Sequence, residues 1–192
     1  MQKVFKLFNI LRDPLFARAL LTGTAAGMEH RRLLQSLDCR HVVDIGVNRG
    51  QFSLVARYCF SDARIISFEP LPGPAGKFRR VFSEDANVML HEVAIGPDMG
   101  EVTMHVSAAD DSSSLLPINS LQDKLFPGTA EARAQQVRVA PLREFIDPEE
   151  ITGPALLKID VQGYELEVLR GCEDMLDRFA YVYVECSFME LY

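Results

Sequence analysis

The sequence predicts an α/β fold: a doubly wound, mostly parallel sheet with helices on both faces. Three observations support this. Short apolar runs alternate with helical patterns along the chain, which is how crossover units build a parallel sheet. The stretch "VVDIGVNRGQFSLVAR" at 42–57 reads as strand, glycine-bearing turn and helix. The chain has 192 residues, 48% apolar and 24% charged, enough for one domain with a full core.

The elements follow in order. The opening "MQKVFKLFNILRDPLFARALL" is apolar and basic, but Lys6 interrupts its first apolar run and Arg12-Asp13-Pro14 ends it. No run reaches the ~7–15 residues of a signal core or the ~20 of a membrane span. Asp13 before Pro14 resembles an N-cap and first helical position. Residues 1–38 are therefore expected as a helical segment packed on a domain spanning 39–192. A peripheral membrane contact through Phe5, Phe8 and the nearby lysines is the less favoured reading.

His41–Ile45 is a strand, followed by a helical pattern through Phe52, Val55 and Tyr58. Arg64–Phe68 is a second strand ending at Glu69-Pro70, and residues 75–83 suit a helix. Asn87–Ala94 reads as a third strand closed by Gly96-Pro97, and the alternating Glu101–Ser107 as an extra one. Residues 108–135, rich in Ser, Asp, Pro and Gly, read as a long loop with a helical turn, of the kind that covers a site. Gln136–Ala140 is a short strand, Ala155–Asp160 an apolar strand, Tyr164–Leu176 a helix and Ala180–Glu185 a last, buried strand.

Charge and cysteines exclude some classes. A net charge of −7 argues against a nucleic-acid partner. Cys39, Cys59, Cys172 and Cys186 lie far apart without metal-ligand spacing, which suggests reduced thiols and a cytoplasmic protein. His41, His91 and His105 form no metal spacing with carboxylates, so no metal is expected.

In a doubly wound sheet, ligands bind beyond the carboxyl ends of the strands at the switch point. Asp44 and Glu69 each lie at such an end. Gly46 and Gly50 let the turn approach a ligand, and the following helix directs its N-terminal amides at it. The spacing D-x-G-x-x-x-G is neither the dinucleotide fingerprint nor a P-loop. Glu69 is placed to accept hydrogen bonds from two ribose hydroxyls. Asp44 would repel a pyrophosphate, so a cationic nucleoside suits the loop better. S-adenosylmethionine has the adenosine, sulfonium and amino-acid tail that these residues ask for.

The chain resembles the FkbM-type methyltransferases, which use S-adenosylmethionine. The matching stretches are "EHRRLLQSL" (29–37), "VVDIGVNRGQFSLVAR" (42–57), "ISFEPL" (66–71), "HEVAIG" (91–96), "DSSSLLPI" (111–118), "LLKIDVQGYELEVLRGC" (157–172) and "VYVECSF" (182–188). Val47 stands where the family more often has Ala, and Gln162 where Glu is commoner.

The resemblance implies a Rossmann-like class I methyltransferase acting on a hydroxyl of a sugar, glycolipid or natural-product small molecule. A non-catalytic cofactor-binding or interaction domain of the same fold is the alternative. Asp44, Gly46, Asn48 and Gly50 would surround the cofactor's amino-acid tail, Glu69 its ribose, and Val93 and Ala94 its adenine. Asp160 would face the transferred methyl, either as base or orienting group for the acceptor hydroxyl or as a contact to the cofactor's amino group. Ser112, Ser113 and Ser114 would hydrogen-bond a polar acceptor or simply solvate their loop. Lys158, two residues before Asp160, is expected as a buried counter-ion. Family members continue with a C-terminal strand pair that this chain lacks, so 180–185 is expected as an edge available for pairing, including with a second copy.

Overall fold

The computed structural model describes residues 14–192. Phe5 and Phe8, and the first third of the expected helical segment, lie outside the described residues. Helix α1 (Pro14–Leu21) starts at its proline and buries Phe16 and Ala19 against Phe78, Val81 and Phe82. A 3₁₀ turn (Met28–His30) and a short helix α2 (Arg31–Leu34) lead into the sheet.

The main sheet contains β1 (His41–Ile45), β2 (Arg64–Phe68), β3 (Val88–His91), β7 (Ala155–Ile159) and β8 (Tyr181–Val184). Its order is β3-β2-β1-β7-β8, and every pairing is parallel. The chain leaves β1 toward β2 and later returns to β7 on β1's other side. The switch point therefore lies beyond the ends of β1 and β7, where their crossovers diverge.

The side-chain alternation of the strands separates two apolar layers. Val43, Ile45, Ile66, Phe68, Leu157 and Ile159 face one side, with Val168 of α6 (Glu165–Gly171). Val42, Ile65 and Leu156 face the other, against Phe52, Val55 and Ala56 of α3 (Gln51–Cys59). Helix α4 (Pro72–Val81) closes that second side next to α3 through Phe78 and Val81.

A smaller sheet stands beside the main one. It contains β4 (Ala94–Ile95), β5 (Gly100–Ser107) and β6 (Glu131–Ala140) in the order β4-β6-β5. Strands β5 and β6 form an antiparallel pair. Leu71, Met104, Val106 and Val137 make its apolar cluster.

Four expectations need correction. Residues 87–94 are not one strand: β3 ends at His91, whose carbonyl takes the Glu69 N–H at 3.1 Å, and Ala94 then joins the other sheet beside β6. The segment 108–135 has its helical turn as α5 (Ser120–Leu125), but its end is not loop: it forms the first half of β6. Helix α6 stops at Gly171, where a Cβ would meet the Gly96 carbonyl oxygen at 2.5 Å, and a 3₁₀ stretch (Glu173–Arg178) follows. Strand β8 is not fully buried: it is an edge strand with Val182 48% exposed. All four cysteines are free thiols, with Cys39 and Cys172 buried. Among the described residues no helix is long and apolar enough to cross a membrane.

Candidate functional site

The turn after β1 is held by geometry that only glycine supplies at two points. Gly46 has φ +78°, and a Cβ there would lie 1.9 Å from the Asp160 carbonyl oxygen. This contact brings the ends of β1 and β7 together. Gly50 has φ +95° and packs on the Phe78 and Phe82 rings. Between them Asn48 is also left-handed, with φ +50°. Asn is among the few non-glycine residues that adopt this conformation readily.

Beneath the turn lies a buried polar layer. Asp44 and Lys158 are cross-strand partners in the β1–β7 register, and both face α3. The Lys158 Nζ is 3.4 Å from Asp44 Oδ1 and 3.3 Å from Asp160 Oδ2. Ser53 of α3 donates to Asp44 Oδ2 at 2.7 Å. Burial pushes the Lys158 ammonium down, but Asp44 and Asp160 together hold it above its ordinary range. Lys158 is thus the charged, buried counter-ion expected of it.

At the end of β2, Glu69 is 5% exposed. Its Oε2 accepts the Asn48 N–H at 2.9 Å and its Oε1 the Leu71 N–H at 2.8 Å. Burial raises the carboxyl to about 7; the two N–H donors oppose that shift and nearby Asp110 adds to it. A carboxylate has about four acceptor positions, so two remain for a ligand.

At the end of β7, Asp160 takes a hydrogen bond from Gln162 Nε2 at 2.7 Å, in addition to the Lys158 contact. Gln162 is left-handed, with φ +57°, and its Oε1 accepts the Tyr192 hydroxyl at 2.8 Å. Asp160 raises Glu185 above the usual carboxylate range, with burial contributing.

Two clefts meet here. The smaller, about 550 Å³ and partly open to solvent, is lined by Glu69, Leu71, Val93, Ala94, Met104 and Ser113 among others. The larger, about 1370 Å³, is lined by His30, Phe52, Ser112, Lys158, Glu185 and Tyr192 among others. Gly46, Asn48, Asp160 and Gln162 line both. The segment after β5 roofs the junction and is tied down at several points. Arg49 grips Asp110 through both carboxylate oxygens at 2.7 Å, and Ser114 donates to the Gln162 carbonyl at 2.6 Å.

The structure thus brings Gly46, Asn48, Glu69, Val93, Ala94 and Asp160 around one space. Val93 and Ala94 arrive there because of the break between β3 and β4. Asp44 and Gly50 line neither cleft. The Asp44 side chain shares the Val42 face and is fully buried under α3, so it acts through Lys158 rather than in either cleft. Gly50 caps α3 and packs on its two phenylalanines instead of lining a cleft. Ser112 and Ser113 reach the clefts, but the Ser113 hydroxyl accepts the Ser107 N–H at 3.1 Å. Ser114 is fully buried and serves as a loop fastener. The Asp44–Lys158 pairing was accessible in principle from strand register; the Gln162 bond to Asp160 had no sequence signal. Among the described residues no group of three or more His, Cys, Asp or Glu could hold a metal ion.

Residues 44–192 match the family described as "Methyltransferase FkbM domain". "Methyltransferase 1" of Beauveria bassiana is 29% identical over 71% of this chain and 60% of its own length. "2-O-methyltransferase NoeI" of Sinorhizobium fredii is 26% identical, covering 92% of this chain and 76% of the relative. "Hexuronic acid methyltransferase AglP" of Haloferax volcanii is 23% identical, covering 74% and 54%. The chain therefore spans a little over half the length of the first and third of these relatives.

Proposed function

The chain belongs to the FkbM methyltransferase domain family, and from that premise we propose that it transfers a methyl group from S-adenosylmethionine to a hydroxyl of a sugar, glycolipid or other small natural-product molecule. The observation that supports this most is the junction of the two clefts, with Glu69 on one side and Asp160 on the shared wall. The names of two relatives, a 2-O-methyltransferase and a hexuronic acid methyltransferase, favour a hydroxyl and a sugar.

The residues fit the cofactor. The smaller cleft offers apolar walls at Leu71, Val93 and Ile95 for a base and the Glu69 carboxylate for a diol. The acidic junction suits the sulfonium and ammonium groups of the tail. Gly46 and Asn48 expose backbone to that tail. When bound, S-adenosylmethionine supplies a methyl group on a cationic sulfur leaving group.

Asp160 accepts the hydrogen of the acceptor hydroxyl as the new C–O bond forms. Lys158 and Gln162 fix the direction of its carboxylate. An in-line displacement depends above all on such positioning.

Glu69→Ala tests the reading. Losing its charge-assisted hydrogen bonds should weaken cofactor binding by about 1.5–3 kcal/mol while the fold survives. Titration calorimetry measures this, and unchanged affinity removes Glu69 from the ribose. Absence of any binding heat in the unmutated protein favours a domain that has kept the fold and lost the chemistry.

The pH dependence has a definite sign. In the free protein the raised Glu69 contributes stability that is full below its ordinary value of 4.5 and lost as pH rises through about 7. The ribose hydroxyls donate to the ionised form, so binding draws that pKa down and releases a proton below about 7. Cofactor affinity should rise by up to about tenfold per pH unit below that point and level off above it. Glu69→Gln should flatten the profile.

A further inference from the structure

The larger cleft contains a polar group without a partner. Gln122, on α5, is 4% exposed, and its Oε1 is buried without a hydrogen bond. The residue lines the larger cleft beside Phe126 and Thr129. A buried amide oxygen in a folded protein ordinarily has a donor. The platform holding it is rigid: the Asn119 side chain accepts the Leu121 N–H at 3.1 Å. Asp123 Oδ1 accepts the N–H groups of Gly128, Thr129 and Ala130 at 3.0, 3.2 and 3.2 Å. Gln122 is therefore held in a fixed place on the cleft wall, with its Oε1 lacking a donor from the folded chain.

Two further features describe what would fill it. Phe126 is 53% exposed and contributes an aromatic ring to the cleft. The same cleft is lined by Glu29, Asp111 and Glu185, none of which pairs with a Lys or Arg among the described residues. Its Lys158 is already shared between Asp44 and Asp160. A carboxylate-bearing ligand would meet uncompensated like charge.

We propose that α5 forms the acceptor subsite and that it takes a neutral or ammonium-bearing pyranose. The Gln122 amide, one acceptor and two donors, bridges ring hydroxyls. The Phe126 ring lies against the C–H face of the sugar. Uronates are refused. This subsite rests on the methyltransferase reading for its purpose, but its binding is measured separately.

Saturation-transfer NMR on the full chain, with and without S-adenosylhomocysteine, provides the test. The probes are methyl glycosides of the gluco, galacto and manno series, each as neutral sugar, 2-amino sugar and uronate. At least one neutral or amino glycoside should bind, with its uronate at least tenfold weaker. Gln122→Leu and Phe126→Ala should each weaken that glycoside at least tenfold and leave S-adenosylhomocysteine affinity unchanged. Gln122→Leu should keep or raise the melting temperature, because it removes an unpaired buried polar group. Binding unaffected by both substitutions, uronates bound equally well, or no glycoside bound in any series would overturn the subsite. Failure of S-adenosylhomocysteine to bind the unmutated protein would instead sink the methyltransferase reading, with glycoside binding still deciding the subsite.

Discussion

Replacing Lys158 with Met lowers stability by about 3–5 kcal/mol, the cost of leaving a buried charge without its partner. Asp44 is fully buried, and Lys158 Nζ, 3.4 Å from its Oδ1, is the cation beside it. Water cannot reach the carboxylate to take the place of the ammonium. The denaturation midpoint in urea should fall sharply with little change in slope. The double variant Lys158→Met with Asp44→Asn should recover part of the loss, since the charge requiring a partner is then gone. A loss below about 1 kcal/mol in the single variant would mean that Asp44 does not depend on Lys158 as its partner.

Asp160→Asn should reduce turnover about 10²–10⁴-fold, the usual effect of removing a general base. Cofactor affinity should fall far less. The substitution keeps the shape and an oxygen to accept the Gln162 amide, and removes the charge that receives the proton. Single-turnover methyl transfer beside calorimetry separates the two effects. A parallel loss of affinity and rate would assign Asp160 to the cofactor's amino group; near-normal turnover would remove it from the chemistry.

The main sheet was legible because apolar residues make up most of β1, β2 and β7, as strands covered on both faces require. Glu69 and Asp160 were legible as candidates because a doubly wound topology puts strand ends beside a cleft, and both line one. The smaller sheet was harder to read. The first half of β6, "EARAQ", lies in solvent apart from its hydrogen bonds to β5, and its alternation rests on two alanines alone, too weak a signal to read as a strand. The division of β3 from β4 turns on Glu92-Val93, where a run apolar on both sides changes sheets. Asp44 stands apart from both clefts for a different reason. Its position at a strand end was right, but period-two alternation put its side chain under α3 with Lys158. Gln122 and Phe126 lay in a segment read as loop, where neither residue type stands out.

The order β3-β2-β1-β7-β8 has a kinetic side. In the central pair, His41 lies opposite Ala155, so β1 obtains its second neighbour only after everything between them has been made and folded back. Closing so large a loop is entropically expensive and comes before its reward. The β5–β6 hairpin, local in sequence, has no such wait. On the ribosome, the β1–β2–β3 half would emerge with one flank of β1 open. That flank's hydrogen bonds, and the cleft that depends on Gly46 meeting Asp160, would form only as the last fifth of the chain arrives.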